Sequence, residues 1–222
     1  MLDKIKGGLI ISCQALENEP LHSSFIMGRM AKAAKEAGAV GIRAQGVEDI
    51  IEIKEVTKLP VIGIIKRDYK DSEVFITPTK KEVDELLKSK CEMIALDCTN
   101  RVRPNNEDLG ELIKYIKSYK VLVMGDISTY EEGVNAEKLG VDCVSTTLSG
   151  YTSYSPKIDF PDYDLMKKLS NDLKIPVIAE GKINTPEELK KAYEMGIYSA
   201  VVGSAITRPQ IIGKKFVDVL KK

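Results

Sequence analysis

The chain has 222 residues, enough for one domain of ordinary size or two small ones, and its apolar and charged fractions, 43% and 30%, are those of a folded protein with a sizeable core. Its 33 basic and 33 acidic residues cancel, which argues against general electrostatic binding to nucleic acid or to an anionic membrane. The apolar runs are only strand-sized, no signal-peptide segment follows Met1–Lys6, and the four cysteines lack C-x-x-C spacing, so we expect a cytoplasmic protein without disulfides.

In chain order, short apolar runs rich in β-branched residues alternate with amphipathic segments. Eight runs have the near-continuous apolar character of strands that are buried on both faces of a parallel sheet. These strands are predicted at Gly8–Cys13, Ala39–Arg43, Val61–Lys66, Met93–Asp97, Val121–Asp126, Cys143–Thr146, Val177–Glu180 and Ala200–Gly203. The helices that follow them are predicted at Phe25–Ala37, Val47–Thr57, Lys80–Ser89, Asn106–Tyr119, Tyr130–Leu139, Tyr163–Leu173, Pro186–Met195 and Ile211–Lys221.

Local signals support the helix ends and the fold class. Thr129 and Thr185 precede acidic first turns and are expected to cap their helices. Glycines stop three helices just before the next strand, at Gly38, Gly140 and Gly196. Eight strand–helix units predict a single (β/α)8 TIM barrel over residues 1–222. A doubly wound sheet is the alternative, but the turn after the first strand has no G-x-G-x-x-G sequence.

Charged residues close five of the eight predicted strands. They are Arg43, Lys66, Asp97, Asp126 and Glu180. The first strand runs into a polar residue as well, Gln14. Because the carboxyl ends of barrel strands meet at one mouth, we expect a ring of mixed charge that can hold a polyhydroxylated ligand and move protons. For any one of these residues, the alternative is that the strand has simply reached solvent.

Lys66 is the strongest candidate for chemistry in this ring. It ends a five-residue apolar run above the predicted barrel core, where desolvation lowers the pKa of an ammonium group toward that of a usable base. The alternative is an ion pair with Asp126 or Glu180. For Glu180 itself, a catalytic role and a buried ion pair with Arg43 are both open.

The turns after the last two strands predict a phosphate site. Gly181 and Lys182 follow the seventh strand, and Gly203 and Ser204 follow the eighth, where backbone N–H groups of such barrels bind phosphate. Plain connecting turns are the alternative. Arg208 either reaches into the mouth or caps a surface loop.

Three further features carry weaker signals. His22 is the only histidine, so we expect it to cap or pack against the first helix and expect no metal site. Cys98 is a candidate for exposure at the mouth, although no second histidine is available to activate it. The loop Ser149–Pro161 is either a lid or a packed surface loop.

Longer strings, which span Gly8 to Pro209, go beyond the general features of a barrel. They are Ser12-Cys13-Gln14-Ala15-Leu16 with Pro20-Leu21-His22, Gly38-Ala39-Val40-Gly41-Ile42-Arg43-Ala44, Pro60-Val61-Ile62-Gly63-Ile64-Ile65-Lys66-Arg67-Asp68-Tyr69, Thr146-Thr147-Leu148-Ser149-Gly150-Tyr151-Thr152, Ile178-Ala179-Glu180-Gly181 and Val201-Val202-Gly203-Ser204-Ala205-Ile206-Thr207-Arg208-Pro209. Together they resemble the bacterial N-acetylmannosamine-6-phosphate 2-epimerase family. The resemblance implies conversion of N-acetylmannosamine 6-phosphate to N-acetylglucosamine 6-phosphate in sialic acid and amino-sugar catabolism, without a metal or organic cofactor.

The resemblance also implies roles for particular residues. Lys66 becomes the catalytic acid/base, and Glu180 a second catalytic or enolate-positioning carboxylate. The residues expected to contact the sugar hydroxyls and the N-acetyl group are Gln14, Arg43, Asp126 and Arg208. The residues expected to bind the phosphate, here called the phosphate cradle, are Gly181, Lys182, Gly203 and Ser204. The chain departs from the common family pattern at Gly125, where alanine is frequent, and at Ser204, where a second glycine is frequent.

Three other functions remain open at this point. A Schiff-base aldolase would use Lys66 as a nucleophile toward a ketose phosphate or a keto acid. A metal-dependent epimerase would need more ligands than one histidine supplies. A catalytically silent phosphosugar-binding protein would need no charged ring. We expect a small phosphosugar as the partner, and a homodimer, because barrels of this size often pair through helix faces.

Overall fold

The computed structural model describes residues 1–221. Eight parallel strands form a closed barrel in which each strand pairs with the next and β8 pairs with β1. The strands are β1 Leu9–Cys13, β2 Gly41–Gln45, β3 Val61–Ile64, β4 Met93–Asp97, β5 Leu122–Asp126, β6 Cys143–Ser145, β7 Val177–Glu180 and β8 Ser199–Val202. The predicted TIM barrel and all eight of its strands are confirmed.

Ten α-helices are found within residues 1–221. They are α1 Leu2–Ile5, α2 Ser24–Glu36, α3 Val47–Thr57, α4 Lys80–Lys88, α5 Leu109–Ser118, α6 Tyr130–Leu139, α7 Tyr163–Asp172, α8 Pro186–Glu194, α9 Ser204–Thr207 and α10 Pro209–Asp218. The short α1 and α9 were not predicted, and α5 begins at Leu109 because a 3-10 turn occupies Pro104–Asn106. Thr129 and Thr185 cap α6 and α8 in capping boxes, as predicted.

The alternation of side chains along each strand divides the core into two layers. Ile10, Ile62 and Met124 belong to a cluster inside the barrel, while Ile11 and Ile94 belong to the larger cluster between barrel and helices. Side chains two residues apart on a strand share a face, so each series of inward-facing side chains continues toward the carboxyl end of its strand. At that end the inward-facing residues are polar. The inward-facing polar residues reached in this way are Ser12, Gln14, Arg43, Lys66, Asp97, Asp126, Thr147 and Glu180.

The third strand is shorter than predicted. It ends at Ile64, and Lys66 forms an antiparallel bridge with Ile76 of the loop that follows. The backbone N–H of Thr77 donates to Ile65 O, and that of Asp97 donates to Ile76 O, so the returning loop takes the place of a longer strand beside β4. This loop therefore lines the barrel mouth next to Lys66.

The C-terminal helix α10 lies away from the barrel core. None of its side chains is buried, and Phe216 is 72% exposed. It begins at Pro209, two residues before its predicted start at Ile211. Within residues 1–221, none of the helices combines the length and the apolar character needed to cross a membrane.

Candidate active site

A cavity of about 500 Å³ opens at the carboxyl ends of the strands. Its volume is in the range of small-molecule sites. The site residues predicted from the sequence line this cavity, with one exception. Those that line it are Gln14, Arg43, Lys66, Glu180, Gly181, Lys182, Gly203, Ser204 and Arg208. Nine of the ten predicted site residues therefore surround one space.

Arg43 lies at the bottom of the cavity between two carboxylates. Its guanidinium donates to both oxygens of Asp126, at 3.0 Å from Nη1 and 2.5 Å from Nη2, and Nη1 also donates to Glu180 Oε2 at 2.9 Å. Burial alone would lower the pKa of Arg43, but the two carboxylates raise it, so the group stays cationic. The ion pair with Arg43, which was one of the two roles predicted for Glu180, is present.

Lys66 stands apart from this cluster. Within residues 1–221 no carboxylate lies within ion-pair distance of its Nζ, so the alternative of an ion pair with Asp126 or Glu180 is wrong. Burial, followed by the positive charges of Arg43 and Arg208, lowers the pKa of Lys66 from 10.5 to about 8. The lysine is therefore a usable base near neutral pH.

Glu180 is held by one carboxylate oxygen. Oε2 accepts from Arg43 Nη1 and lies 3.1 Å from Thr147 Oγ1, and the side chain is 15% exposed. Burial, together with the nearby charge of Asp126, raises the pKa of Glu180, while Arg43 and the Thr147 hydroxyl oppose the rise. Thr147 lines the cavity and is not among the predicted site residues. The alternation that begins with Cys143 and Ser145 in β6 and continues to Thr147 is a signal that could have found it.

The turns after β7 and β8 meet on one side of the cavity. Gly181 has a φ of +103°, a conformation that favours glycine, and a Cβ at Gly203 would lie 3.3 Å from Ser12 Cβ. The ammonium of Lys182 contacts the loop after β6: its Nζ donates to Ser149 O at 3.2 Å and lies 4.8 Å from the centroid of the Tyr151 ring. Burial lowers the pKa of Lys182.

Arg208 and Gln14 border the same side. Arg208 Nη1 donates to Ser204 Oγ at 3.3 Å, and Nη2 donates to Glu19 Oε2 at 2.9 Å, so the guanidinium is held beside the turn after β8. Gln14 Nε2 donates to Ser12 Oγ at 2.8 Å, and its Oε1 is buried with no protein partner within residues 1–221. Such an oxygen is an acceptor available to a ligand.

Two residues of the predicted ring do not line the cavity. Asp97 is fully buried and accepts from Arg101 Nη2 at 2.5 Å and from Thr99, so the loop after β4 captures it. Asp126 is also fully buried, beneath Arg43, which uses both of its oxygens. Its predicted contact with the sugar would require access that this arrangement does not give.

One weaker prediction differs from the structure, and another differs in part. Cys98 is not exposed at the mouth: it is 1% exposed, and it faces Gly125 on the outer side of the barrel, where burial raises its pKa. Of the two roles predicted for His22, capping of α2 is wrong: the N-cap residue is Ser23, whose side chain makes no capping hydrogen bond, and His22 Nδ1 lies 3.2 Å from Ala15 O in the preceding loop.

The loop over residues 149–161 is anchored to the barrel. Tyr154 OH donates to Glu132 Oε1 at 2.5 Å, and Thr152 Oγ1 donates to Ser128 Oγ at 3.1 Å. Ser149 Oγ also donates to Asp162 Oδ2 at 2.6 Å. The loop was predicted to be either a lid or a packed surface loop, and these contacts are those of a packed surface loop.

The described residues contain no group of three or more histidine, cysteine, aspartate or glutamate side chains that could hold a metal ion. All four cysteines are free and buried. The polar groups at the cavity are suited to hydrogen bonding and proton transfer.

Comparison with known proteins gives one consistent result. A family model described as "Putative N-acetylmannosamine-6-phosphate epimerase" matches residues 27–222. A protein of Clostridioides difficile strain 630, named "Putative N-acetylmannosamine-6-phosphate 2-epimerase", is 73% identical over 221 residues, covering 100% of this chain and 99% of the relative. A relative of the same name from Oceanobacillus iheyensis is 59% identical, covering 98% of this chain and 100% of the relative.

Solved structures agree with the sequence matches. The N-acetylmannosamine-6-phosphate 2-epimerase from Clostridium perfringens matches with a TM-score of 0.97 at 67% identity, covering 99% of this chain and 96% of that one. A thiamine phosphate pyrophosphorylase from Pyrococcus furiosus matches with a TM-score of 0.63 at only 16% identity, which shows a similar fold alone.

Proposed function

The chain belongs to the N-acetylmannosamine-6-phosphate 2-epimerase family, and on that premise we propose that it interconverts N-acetylmannosamine 6-phosphate and N-acetylglucosamine 6-phosphate by removing and returning the proton on C2. The observation that carries the proposal is Lys66. This lysine has no ion-pair partner within residues 1–221, its pKa is lowered to about 8, and it faces the same cavity as Glu180.

Inversion at C2 needs a base beside a carbon that is next to the C1 aldehyde. The neutral amine of Lys66 takes the C2 proton, the C–H electron pair forms the C1–C2 double bond, and the carbonyl electron pair moves to the C1 oxygen as an enolate. Arg43 and neighbouring donors stabilise the enolate charge. A proton is then delivered to the opposite face of C2, and the C1 carbonyl forms again.

Glu180 takes one of two roles in this scheme. Either it starts protonated and delivers its own proton to the face of C2 opposite Lys66, or it holds the enolate while Lys66 returns the abstracted proton to the other face. Asp126 acts behind Arg43, because its oxygens are occupied by the guanidinium. It is therefore a positioning residue in this proposal.

The phosphate of the substrate is held by the turns after β7 and β8. Gly181 and Gly203 have no side chain that would keep a ligand from the backbone of the two turns, and Arg208 supplies a cation beside Ser204. We accordingly assign Arg208 to the phosphate side of the cavity, with Gln14 Oε1 as an acceptor for the sugar or its acetamido N–H. The ammonium of Lys182 joins the cradle if it leaves Ser149 O.

One experiment tests the proposal. The protein is incubated with N-acetylmannosamine 6-phosphate in deuterated water and followed by proton NMR. We expect the N-acetylglucosamine 6-phosphate signals to appear with deuterium at C2. Absence of conversion refutes the proposal, and an imine trapped by borohydride would assign the site to a Schiff-base aldolase instead.

The proposal extends to assembly, domain organisation and location. We treat residues 1–222 as one domain because the barrel that runs from β1 to β8 is closed. A cytoplasmic location is supported by four unpaired, buried cysteines, which are typical of a reducing compartment.

A homodimer is supported by α10, whose apolar side chains, including Ile211 and Phe216, are exposed within the described chain. A second copy presents the same face and can cover it in a symmetric dimer. Analytical ultracentrifugation tests this, with Phe216→Glu expected to shift the protein toward monomer.

A further inference from the structure

The hydroxyl of Thr147 touches both carboxylates of the site. Its Oγ1 lies 2.7 Å from Asp126 Oδ1 and 3.1 Å from Glu180 Oε2. Arg43 Nη1 donates to these same two oxygens at 3.0 Å and 2.9 Å. The two carboxylates are therefore joined twice, once by a guanidinium and once by a hydroxyl.

A second hydroxyl lies behind the first. Ser145 is fully buried, and its Oγ is 2.8 Å from Thr147 Oγ1 and 3.4 Å from Glu180 Oε2. A hydroxyl donates one proton and accepts others, so Thr147 can donate to ionised Glu180 while it accepts from Ser145. The hydroxyl has one proton for two carboxylates, and both oxygens of Asp126 already accept from Arg43. A proton donated to Glu180 Oε2 therefore favours the ionised form of Glu180.

This contact fixes which oxygen of Glu180 is free. The backbone of Glu180 is held by Thr146, whose Oγ1 donates to Glu180 O at 2.8 Å and accepts from Glu180 N at 3.1 Å. Every side-chain hydrogen bond of Glu180 within residues 1–221 goes to Oε2. Oε1 is left as the oxygen that a ligand in the cavity can meet.

We propose that Thr147 is a positioning residue of this site, whose hydroxyl holds Glu180 Oε2 beside Arg43 so that Oε1 stays available to the substrate. The inference rests on the epimerase function proposed above. It assigns Thr147 no proton transfer to the sugar.

The charges around Glu180 set the direction of the expected effect. Asp126 on β5 raises its pKa, while Arg43 on β2, the Thr147 hydroxyl after β6 and Lys66 after β3 lower it. Removing the hydroxyl takes away a donor to the ionised carboxylate, so the pKa of Glu180 should rise further. The pH limb that depends on Glu180 should then move to higher pH.

The test compares Thr147→Val, which keeps the shape and loses the hydroxyl, with Thr147→Ser, which keeps the hydroxyl. Thr57→Val is the matched control, because Thr57 is fully buried and hydrogen-bonded to Ile53 O outside the site. Each protein is assayed for kcat and KM on N-acetylmannosamine 6-phosphate across pH, and for thermal unfolding. Glu180→Gln serves as a reference: the limb of the pH–rate profile that is absent in this variant is the one that belongs to Glu180.

For Thr147→Val we expect kcat to fall by about tenfold or more, with KM changed by less than about threefold. The part of the pH profile that depends on Glu180 should move to higher pH. Thr147→Ser should restore most of the turnover and the original limb, and Thr57→Val should lower only the unfolding temperature. If Thr147→Val does not fold, Thr147→Ala carries the same expectations without the branched side chain.

Three outcomes overturn the inference. A wild-type pH profile in Thr147→Val shows that the hydroxyl does not act on Glu180. A raised KM with unchanged kcat makes Thr147 a simple substrate contact. A wild-type protein that does not epimerise the sugar refutes the proposed function and, with it, this inference.

Discussion

The lowered pKa of Lys66 makes a quantitative prediction about pH. Burial, with Arg43 and Arg208 nearby, moves this pKa from 10.5 to about 8. At pH 7 about one Lys66 side chain in ten is then neutral, against about one in three thousand for a solvated lysine. The neutral form accumulates as the pH rises through the pKa, so kcat/KM should increase about tenfold per unit below pH 8 and level off above it.

The assay is the initial rate of C2 inversion at substrate concentrations far below KM, because kcat/KM then reports the free enzyme. Measurements should begin at pH 7, since a sugar phosphate has its second pKa near about 6 and would add a limb of its own. Lys66→Ala serves as the control and should show no limb near pH 8. A kcat/KM that stays constant between pH 7 and 9, or that rises only near pH 10.5, would refute the reasoning.

Four further predictions follow from the same site. Lys66→Ala should keep the circular dichroism spectrum of the wild type and lose turnover by about 10³-fold, and activity within about tenfold of wild type would remove Lys66 from catalysis. Glu180→Gln should bind substrate and epimerise it at least about 10²-fold more slowly. If deuterium still exchanges at C2 in this variant, two groups transfer protons, whereas if exchange and epimerisation fall together, Lys66 alone does so. Near-normal epimerisation would show that Glu180 has only a structural role. Unphosphorylated N-acetylmannosamine should have a kcat/KM at least about 10³-fold lower, because phosphate binding orients C2 against Lys66, and equal values for the two sugars would contradict the cradle. Exhaustive chelation should leave activity unchanged, whereas a loss that a divalent ion reverses would favour a metal-dependent epimerase.

The inward direction of the main site residues follows from strand periodicity. Arg43, Lys66 and Glu180 each continue a row of side chains that faces the barrel interior, and the carboxyl ends of parallel strands must meet. The same rule places Cys98 on the outer face, one residue past the inward Asp97, so the alternation itself argues against exposure of Cys98 at the mouth.

Other features depend on contacts between distant segments. Asp97 has the inward parity of a cavity residue, yet Arg101 in the following loop captures it. The segment around Ile76 replaces the predicted end of the third strand through hydrogen bonds that no local pattern announces. The amphipathic sequence of α10 is the same whether the helix packs on its own barrel or away from it, so its exposed position could not be predicted.

The Arg43 cluster also constrains how this barrel can change over evolutionary time. One buried cation serves two carboxylates, the fully buried Asp126 and the largely buried Glu180, so replacing Arg43 alone leaves both without the cation that compensates them. Replacing one carboxylate alone removes a partner of a guanidinium that is 1% exposed. A descendant that abandons this chemistry should therefore exchange the three positions together, and a lineage that keeps Arg43 should keep both acids.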